Sequence, residues 1–174
     1  IAARSLQEDY EKNIKDYEKN IEDMQDAMID LKWKRHFKMA QDGSMRSQYE
    51  LGMMYYRGKG RDIAQNYANA FKWFYKAGSG LFRSGHSASQ LQLGIMYEHG
   101  HGVTQSNKEA VYWYNRSDKQ GNASARNYLE NMRRSGKAIL EHHSWIFGGG
   151  TYYKALIPGK KQTKDMDQGL KIRN

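Results

Sequence analysis

The chain has no cysteine, one proline and no long apolar run. The lack of cysteine excludes disulfides, thiol catalysis and thiolate metal sites. A membrane-spanning helix needs about 20 consecutive apolar residues, and the sequence predicts no such helix. One proline and nine methionines favour a helical protein. The 174 residues suit a single domain with a modest core.

Charge is unevenly distributed along the chain. Residues 1–31 carry nine acidic and four basic side chains, whereas residues 32–174 carry ten acidic and 24 basic ones. A basic body is compatible with nucleic-acid binding, but the sequence has no recognised nucleic-acid motif, and its tyrosines follow helical packing spacing. We therefore expect protein partners, acidic ones among them, and no nucleic acid.

The first segment has the pattern of a long helix. The hexapeptide "DYEKNI" occurs at 9–14 and again at 16–21. Apolar residues then alternate steps of three and four, which gives nearly three heptads: Ile14, Tyr17, Ile21, Met24, Met28 and Leu31. This pattern predicts an amphipathic, coiled-coil-like helix over residues 1–35. The helix either docks on the body of the chain or pairs with a partner helix.

A second pattern is an internal repeat. The stretch "YYRGKG" at 55–60 returns as "YEHGHG" at 97–102. The match extends on both sides, and a partial third copy begins at Gly121 without the Tyr-x-x-Gly-x-Gly loop. The positions that define the two full copies are Leu51, Gly52, Tyr55, Gly58, Gly60, Ala70 and Trp73, and then Leu93, Gly94, Tyr97, Gly100, Gly102, Ala110 and Trp113.

Each repeated position has a physical reason in a helical hairpin. Leu51 and Tyr55 lie on one face of a helix, and Gly52 lets a neighbouring helix approach closely. Gly58 falls where a helix ends in the left-handed conformation. Ala70 begins a small-then-large pair on the following helix. A single hairpin cannot bury its apolar face alone, so we expect the copies to stack.

The repeated pattern resembles the Sel-one-like repeat (SLR) family, relatives of the tetratricopeptide repeats. The resemblance implies an all-α fold, an α-solenoid of stacked helical hairpins, here with a long N-terminal helix. It covers about residues 36–135, and residues 36–43 resemble the end of a degenerate preceding copy. We therefore divide the chain into an N-terminal helix (1–35), a repeat array (36–135) and an irregular basic extension (136–174). A short strand near 151–156 is an option within that extension.

The glycine loops and histidines raise the question of chemistry. A phosphate-binding loop needs a preceding strand and a following Lys-Ser/Thr, which these loops lack, so their glycines are read as turn residues. His99 and His101 can form a zinc site with further ligands if the tail folds back. The further candidates are Glu98, Glu141, His142 and His143. We favour surface histidines, and expect no metal, no cofactor, no catalytic residue and no enzymatic activity.

A second apolar stripe on the first helix of each unit is the candidate partner-binding surface. Tyr49, Met53 and Tyr56 lie about 200° around the helix from the repeat stripe. The chain's own N-terminal helix, its C-terminal tail or a partner protein must cover this stripe. The complete candidate set, with the equivalents in copy two and the neighbouring variable positions, is Tyr49, Met53, Tyr56, Arg57, Leu91, Ile95, Glu98, His99 and His101.

Three functional hypotheses follow. The first is a scaffold or adaptor subunit of a larger bacterial assembly, a role that the family resemblance implies. The second is an immunity or inhibitor protein that neutralises a cognate enzyme toxin. The third, and least favoured, is a metal-dependent hydrolase. The sequence does not identify the compartment, although an exported or periplasmic protein is favoured over a cytoplasmic one.

Overall fold

The computed structural model of the chain describes residues 2–58, 63–80, 84–143 and 150–155. This part of the chain forms six helices followed by a two-stranded antiparallel sheet. The elements are α1 Ala2–Gln41, α2 Met45–Arg57, α3 Tyr67–Ser79, α4 Ser87–His99, α5 Asn107–Asp118, α6 Ala123–Arg134, β1 Ala138–His143 and β2 Gly150–Ala155. The predicted all-α repeat fold with a long N-terminal helix is confirmed.

Helices α2 to α5 form two stacked hairpins, α2 with α3 and α4 with α5, and α6 packs against α5. Helix starts are fixed by side chains that accept hydrogen bonds from otherwise unpaired backbone N–H groups. The capping residues are Ser44, Asn66, Ser106 and Asn122, for α2, α3, α5 and α6 respectively. These four caps fix where α2, α3, α5 and α6 begin, whereas α4 begins after His86 without a side-chain cap.

Helix α1 continues beyond the predicted boundary at residue 35 because its end packs like the second helix of a preceding unit. Trp33, Phe37 and Ala40 lie in one cluster with Leu51 and Met54 of α2. The helix ends just before Gly43, whose φ is 93°. The end of α1 therefore covers the apolar face of α2 at the N-terminal end of the array.

Hydrogen bonds from two buried glutamines also show that the end of α1 is equivalent to the end of α3. The Gln48 side-chain amide donates to the carbonyl oxygen of Ala40 at 3.0 Å. Its counterpart Gln90 donates to the carbonyl oxygen of Gly78 at 2.9 Å. The end of α1 thus meets α2 as the end of α3 meets α4.

Within each hairpin, a glycine allows an aromatic ring to lie directly on the first helix. A Cβ atom placed on Gly52 would clash with the ring of Phe74, and one on Gly94 would clash with the ring of Tyr114. Phe74 and Tyr114 are both fully buried. The predicted close approach at Gly52 is confirmed, and the approaching group is an aromatic side chain.

The loop glycines are turn residues, as predicted. Gly58 and Gly100 end α2 and α4 in the left-handed conformation, with φ of 64° and 72°. Gly102 also has a φ of 72°, and a Cβ atom there would lie 2.7 Å from the backbone carbon of Tyr67. Gly60 lies outside the described residues.

The extension after α6 is not entirely irregular, which corrects the expectation for residues 136–174. Strands β1 and β2 form a hairpin in which Ala138 faces Ala155 and His143 faces Gly150. The hairpin lies against α5 and α6, where Ala138 is buried in one cluster with Leu129. The hairpin follows α6 directly and packs against its buried side.

Strand β2 overlaps the short strand suggested near residues 151–156, and residues 156–174 lie outside the described part of the chain. Among the described residues, no helix is both long enough and apolar enough to cross a bilayer.

Two glycines with the same φ allow a matched test of the turn. Gly100→Ala should lower the free energy of unfolding by about 1 kcal/mol, because alanine is strained at positive φ. Gly102→Ala should cost more, because its Cβ also meets the backbone of Tyr67. Urea denaturation measures both. Wild-type stability in both variants would contradict this account of the loop.

Candidate functional site

The second apolar stripe is covered mainly by the chain's own next helices. The rings of Tyr49 and Tyr56 lie against Phe74 of α3, at centroid distances of 5.9 and 6.4 Å. Tyr49 also contacts His86, 5.0 Å away, and Met53 packs against the same cluster. Helix α1 packs on the other face of α2, against Leu51 and Met54, so it is not the cover, although it was one of the three options that the sequence left open.

Tyr56 belongs to a polar-aromatic cluster at the turn of the second unit. Its hydroxyl forms a 2.8 Å hydrogen bond with Nδ1 of His101. The His101 ring in turn stacks on Tyr67, with 4.6 Å between centroids and 6° between planes. Burial raises the pKa of Tyr56. Both variable-position residues, Tyr56 and His101, are therefore engaged within the chain.

Glu98 connects the second unit to Lys137 at the start of the extension. Its carboxylate accepts hydrogen bonds from the Tyr114 hydroxyl at 2.9 Å and from Nζ of Lys137 at 3.0 Å. Burial raises the pKa of Tyr114, and the nearby Glu98 carboxylate raises it further. In the same helix, Leu91 and Ile95 pack against the last core cluster. These three candidates serve internal packing.

Arg57 and His99 are the candidates that remain exposed to solvent. The nine predicted partner-binding residues therefore do not form one continuous open surface. Their contact with a partner stays a prediction.

The two loop histidines lie close together, with ring centroids 5.5 Å apart. Nδ1 of His99 lies 3.0 Å from the carbonyl oxygen of Ile95, and Nδ1 of His101 faces Tyr56. Where the structure describes side chains, no three His, Cys, Asp or Glu residues are grouped to hold a metal ion. The side chains of Glu141, His142 and His143 lie outside that part.

An exposed aromatic surface lies instead on α3 and α5. We call Phe71, Tyr75, Tyr112 and Trp113 the aromatic ridge. Tyr75 stacks on Phe71 and meets the edge of Trp113, with centroids 5.9 and 5.8 Å apart, and Tyr112 contacts Trp113 at 5.2 Å. Trp113 is buried, whereas Tyr75 and Tyr112 are each 49% exposed. The buried Trp113 ring therefore contacts both exposed tyrosines.

The aromatic ridge is surrounded mostly by positive charge. Arg116 lies over the rings of Tyr112 and Trp113, at 5.8 and 5.3 Å. It also donates hydrogen bonds to the Tyr112 hydroxyl and to the carbonyl oxygen of Ser79, both at 3.3 Å. Lys72 and Lys108 are exposed one helical turn from the tyrosines. One acid, Glu109, shares this side of α5.

Repeat comparison missed the aromatic ridge because its exposed tyrosines are not equivalent. Counting from the two repeat tryptophans, Tyr75 corresponds to Asn115, and Tyr112 corresponds to Lys72. A comparison of the two copies that retains only the positions they share therefore leaves out both tyrosines. The sequence feature that could have indicated the ridge was a tyrosine at a variable position within two residues of each repeat tryptophan.

Comparison with known proteins identifies the repeats. Residues 46–80 and 87–122 each match the family model described as the Sel1 repeat. Thirteen solved chains match, among them a Sel1 repeat protein from Oxalobacter formigenes, with a TM-score of 0.53 and 28% identity. That match covers 60% of this chain and 40% of the other. No curated protein matches.

The chain spans less than half the length of this Sel1 repeat protein. Proteins with Sel1 repeats are generally scaffolds for protein–protein interaction. Neither the family match nor the described side chains identify the partner.

Tyr56 and its neighbour Arg57 provide a test of internal packing. Tyr56→Ala should lower the free energy of unfolding by about 2 kcal/mol, because it removes contacts with Phe74, Tyr67 and His101. Arg57→Ala, at an exposed position, should change it by less than about 0.5 kcal/mol. Thermal melting of both variants checks the difference. If the two variants melt alike, Tyr56 does not contribute to the core.

Proposed function

Because residues 46–80 and 87–122 are two Sel1 repeats, we propose that the chain is an adaptor that holds an acidic segment of a partner protein on the aromatic ridge. The single observation that carries this proposal is that Tyr75 and Tyr112 are half-exposed on α3 and α5, although the large rings of Phe74, Trp113 and Tyr114 on the same helices are buried. Both exposed rings contact the buried ring of Trp113.

The aromatic ridge has the properties of an interface anchor. Binding energy at protein interfaces concentrates in a few aromatic and arginine residues. Tyr75 and Tyr112 are held by Trp113, and Arg116 is held by Tyr112 and by the carbonyl oxygen of Ser79. Side chains that are already ordered lose little conformational entropy on binding. The side chains of the aromatic ridge are therefore preorganised for binding.

Charge indicates the chemistry of the partner. Lys72, Lys108 and Arg116 outnumber Glu109 around the exposed rings. A complementary segment carries Asp or Glu side chains that reach these cations, together with an apolar residue that packs on the tyrosines. Such a segment agrees with the excess of positive charge over residues 32–174.

The finer role proposed is that of an adaptor subunit in a larger bacterial assembly. An adaptor must hold two contacts at once, and the exposed apolar face of α1 can pack against a second protein chain, another copy of this chain included, while the aromatic ridge holds the partner. An inhibitor of one enzyme needs a single surface. The presence of two separate surfaces therefore supports the adaptor over the immunity protein.

Paired tyrosine variants test the aromatic ridge. We expect Tyr75→Ser combined with Tyr112→Ser to weaken binding of the ridge partner by about 2 kcal/mol or more, with melting close to wild type. Tyr17→Ser, at a 70% exposed position on α1, is the matched control and should keep that partner. Affinity capture from cells of the source organism, followed by calorimetry with the captured protein, gives the measurement.

Two outcomes would contradict the proposal. If the double variant captures the same proteins with the same affinity, the aromatic ridge is not the docking surface. If the captured partner is a single enzyme whose activity falls on binding, the chain is an inhibitor. A stoichiometric complex with structural subunits supports the adaptor.

A further inference from the structure

The N-terminal two thirds of α1 extend away from the repeat core. The first α1 residue that packs against a core cluster is Ile29, although the helix begins at Ala2. In proteins, most helical stability comes from tertiary packing of an amphipathic face and not from intrinsic helix propensity. The first 27 residues of α1 therefore need an apolar contact that the repeat core does not supply.

That contact face is already specified by the sequence. We call the exposed apolar residues along one side of α1 the arm seam: Leu6, Tyr10, Ile14, Tyr17, Ile21, Met24, Met28, Leu31 and Met39. Their exposed fractions range from 44% at Ile14 to 72% at Leu6. From Leu6 to Met39 the arm seam is about 50 Å long, at 1.5 Å per residue.

The arm seam and the body-facing side of α1 do not compete for space. Taking 100° per residue, the arm seam is centred about 155° around the helix from the face formed by Trp33, Phe37 and Ala40. A second helix can therefore lie along the arm seam while α2 remains packed on the other side.

We propose that a second copy of this chain covers the arm seam, with the two α1 helices antiparallel. In one antiparallel register, the apolar heptad positions of one copy lie opposite those of the other copy. Ile21 of one copy meets Met24 of the other, Tyr17 meets Met28, and Ile14 meets Leu31. Each apolar residue in this central region thus faces another apolar residue.

The same alignment continues beyond the central heptads. Leu6 meets Met39, which is an apolar pair at the outer end. Tyr10 meets Arg35, which places a guanidinium against an aromatic ring. No apolar residue of the arm seam is left facing solvent at the far ends, so the seam is complementary to itself.

Charge selects the antiparallel direction. The segment 8–11 contains Glu8, Asp9 and Glu11, whereas the segment 32–38 contains Lys32, Lys34, Arg35 and Lys38 with no acid. Antiparallel helices place the acidic segment of one copy beside the basic segment of the other. Parallel helices would place the acidic segment of one copy beside the acidic segment of the other, and the basic segments would also lie together. Like charges would then repel.

This inference goes beyond the proposed function, because it assigns the arm to self-association and leaves the aromatic ridge for the partner. An antiparallel pair holds the two repeat bodies at opposite ends of the joined arms. One dimer would therefore present two separate ridges. The self-association needs no ridge partner, so the two proposals fail independently.

Sedimentation equilibrium of the full chain tests the pairing. Wild type should sediment at twice the chain mass of 20.3 kDa. Ile21→Ser should weaken dimerisation about 100-fold, roughly tenfold for each of its two copies. Lys19→Ser, on the opposite side of α1, is the control and should leave dimerisation unchanged. A monomeric wild type, a larger oligomer, or an Ile21→Ser variant that dimerises as tightly as wild type would overturn the proposal.

Disulfide trapping tests the direction of pairing. The chain has no cysteine, so introduced cysteines form unambiguous pairs. Ile14→Cys and Leu31→Cys chains should each fail to cross-link with themselves, but should cross-link when mixed and oxidised. Self-cross-linking of Ile14→Cys would show parallel helices and overturn the antiparallel assignment, as would a mixture that does not cross-link.

Discussion

The contact between a glycine and an aromatic ring within each hairpin is the constraint on which the structure depends. At Gly52 and Gly94 the first helix has no side chain, and the rings of Phe74 and Tyr114 occupy that space. The resulting close approach fixes how each hairpin packs. Because the units stack through neighbouring faces, the same geometry places each following unit. The third copy needs no such glycine, since Glu130 stands in its place and a β-hairpin follows α6 instead of a helix.

The positions of the exposed surfaces follow from this packing. The aromatic ridge exists because α3 and α5 lie near enough for Tyr75 to contact Trp113. The arm seam exists because only the last part of α1 serves as the second helix of a preceding unit. Both surfaces are thus consequences of where the repeat array begins and how its units stack. Partner binding and self-association can be separate properties of one chain, since they use different helices.

Sequence reasoning recovered the repeated positions well, because a turn glycine or a small residue at a close contact leaves the same mark in each copy. Gly58, Gly100 and Gly52 were all predicted in their roles. It failed where the copies differ: Tyr75 and Tyr112 were discarded as variable positions. The covering of Tyr49 by Phe74 was also missed, because a single-helix projection shows two apolar faces but not the neighbour that meets each one. Likewise, a heptad pattern predicted the arm without showing where it joins the body.

The most direct test of the central constraint is a double-mutant cycle between Gly94 and Tyr114, measured as free energies of unfolding. Gly94→Ala should be strongly destabilising while Tyr114 is present and much less so in a Tyr114→Ala background, where space is available for the new methyl group. The coupling free energy should be on the order of 1 kcal/mol or more, as for residues in direct contact. Additive effects, with a coupling within about 0.3 kcal/mol of zero, would contradict the claim that this contact sets the hairpin geometry.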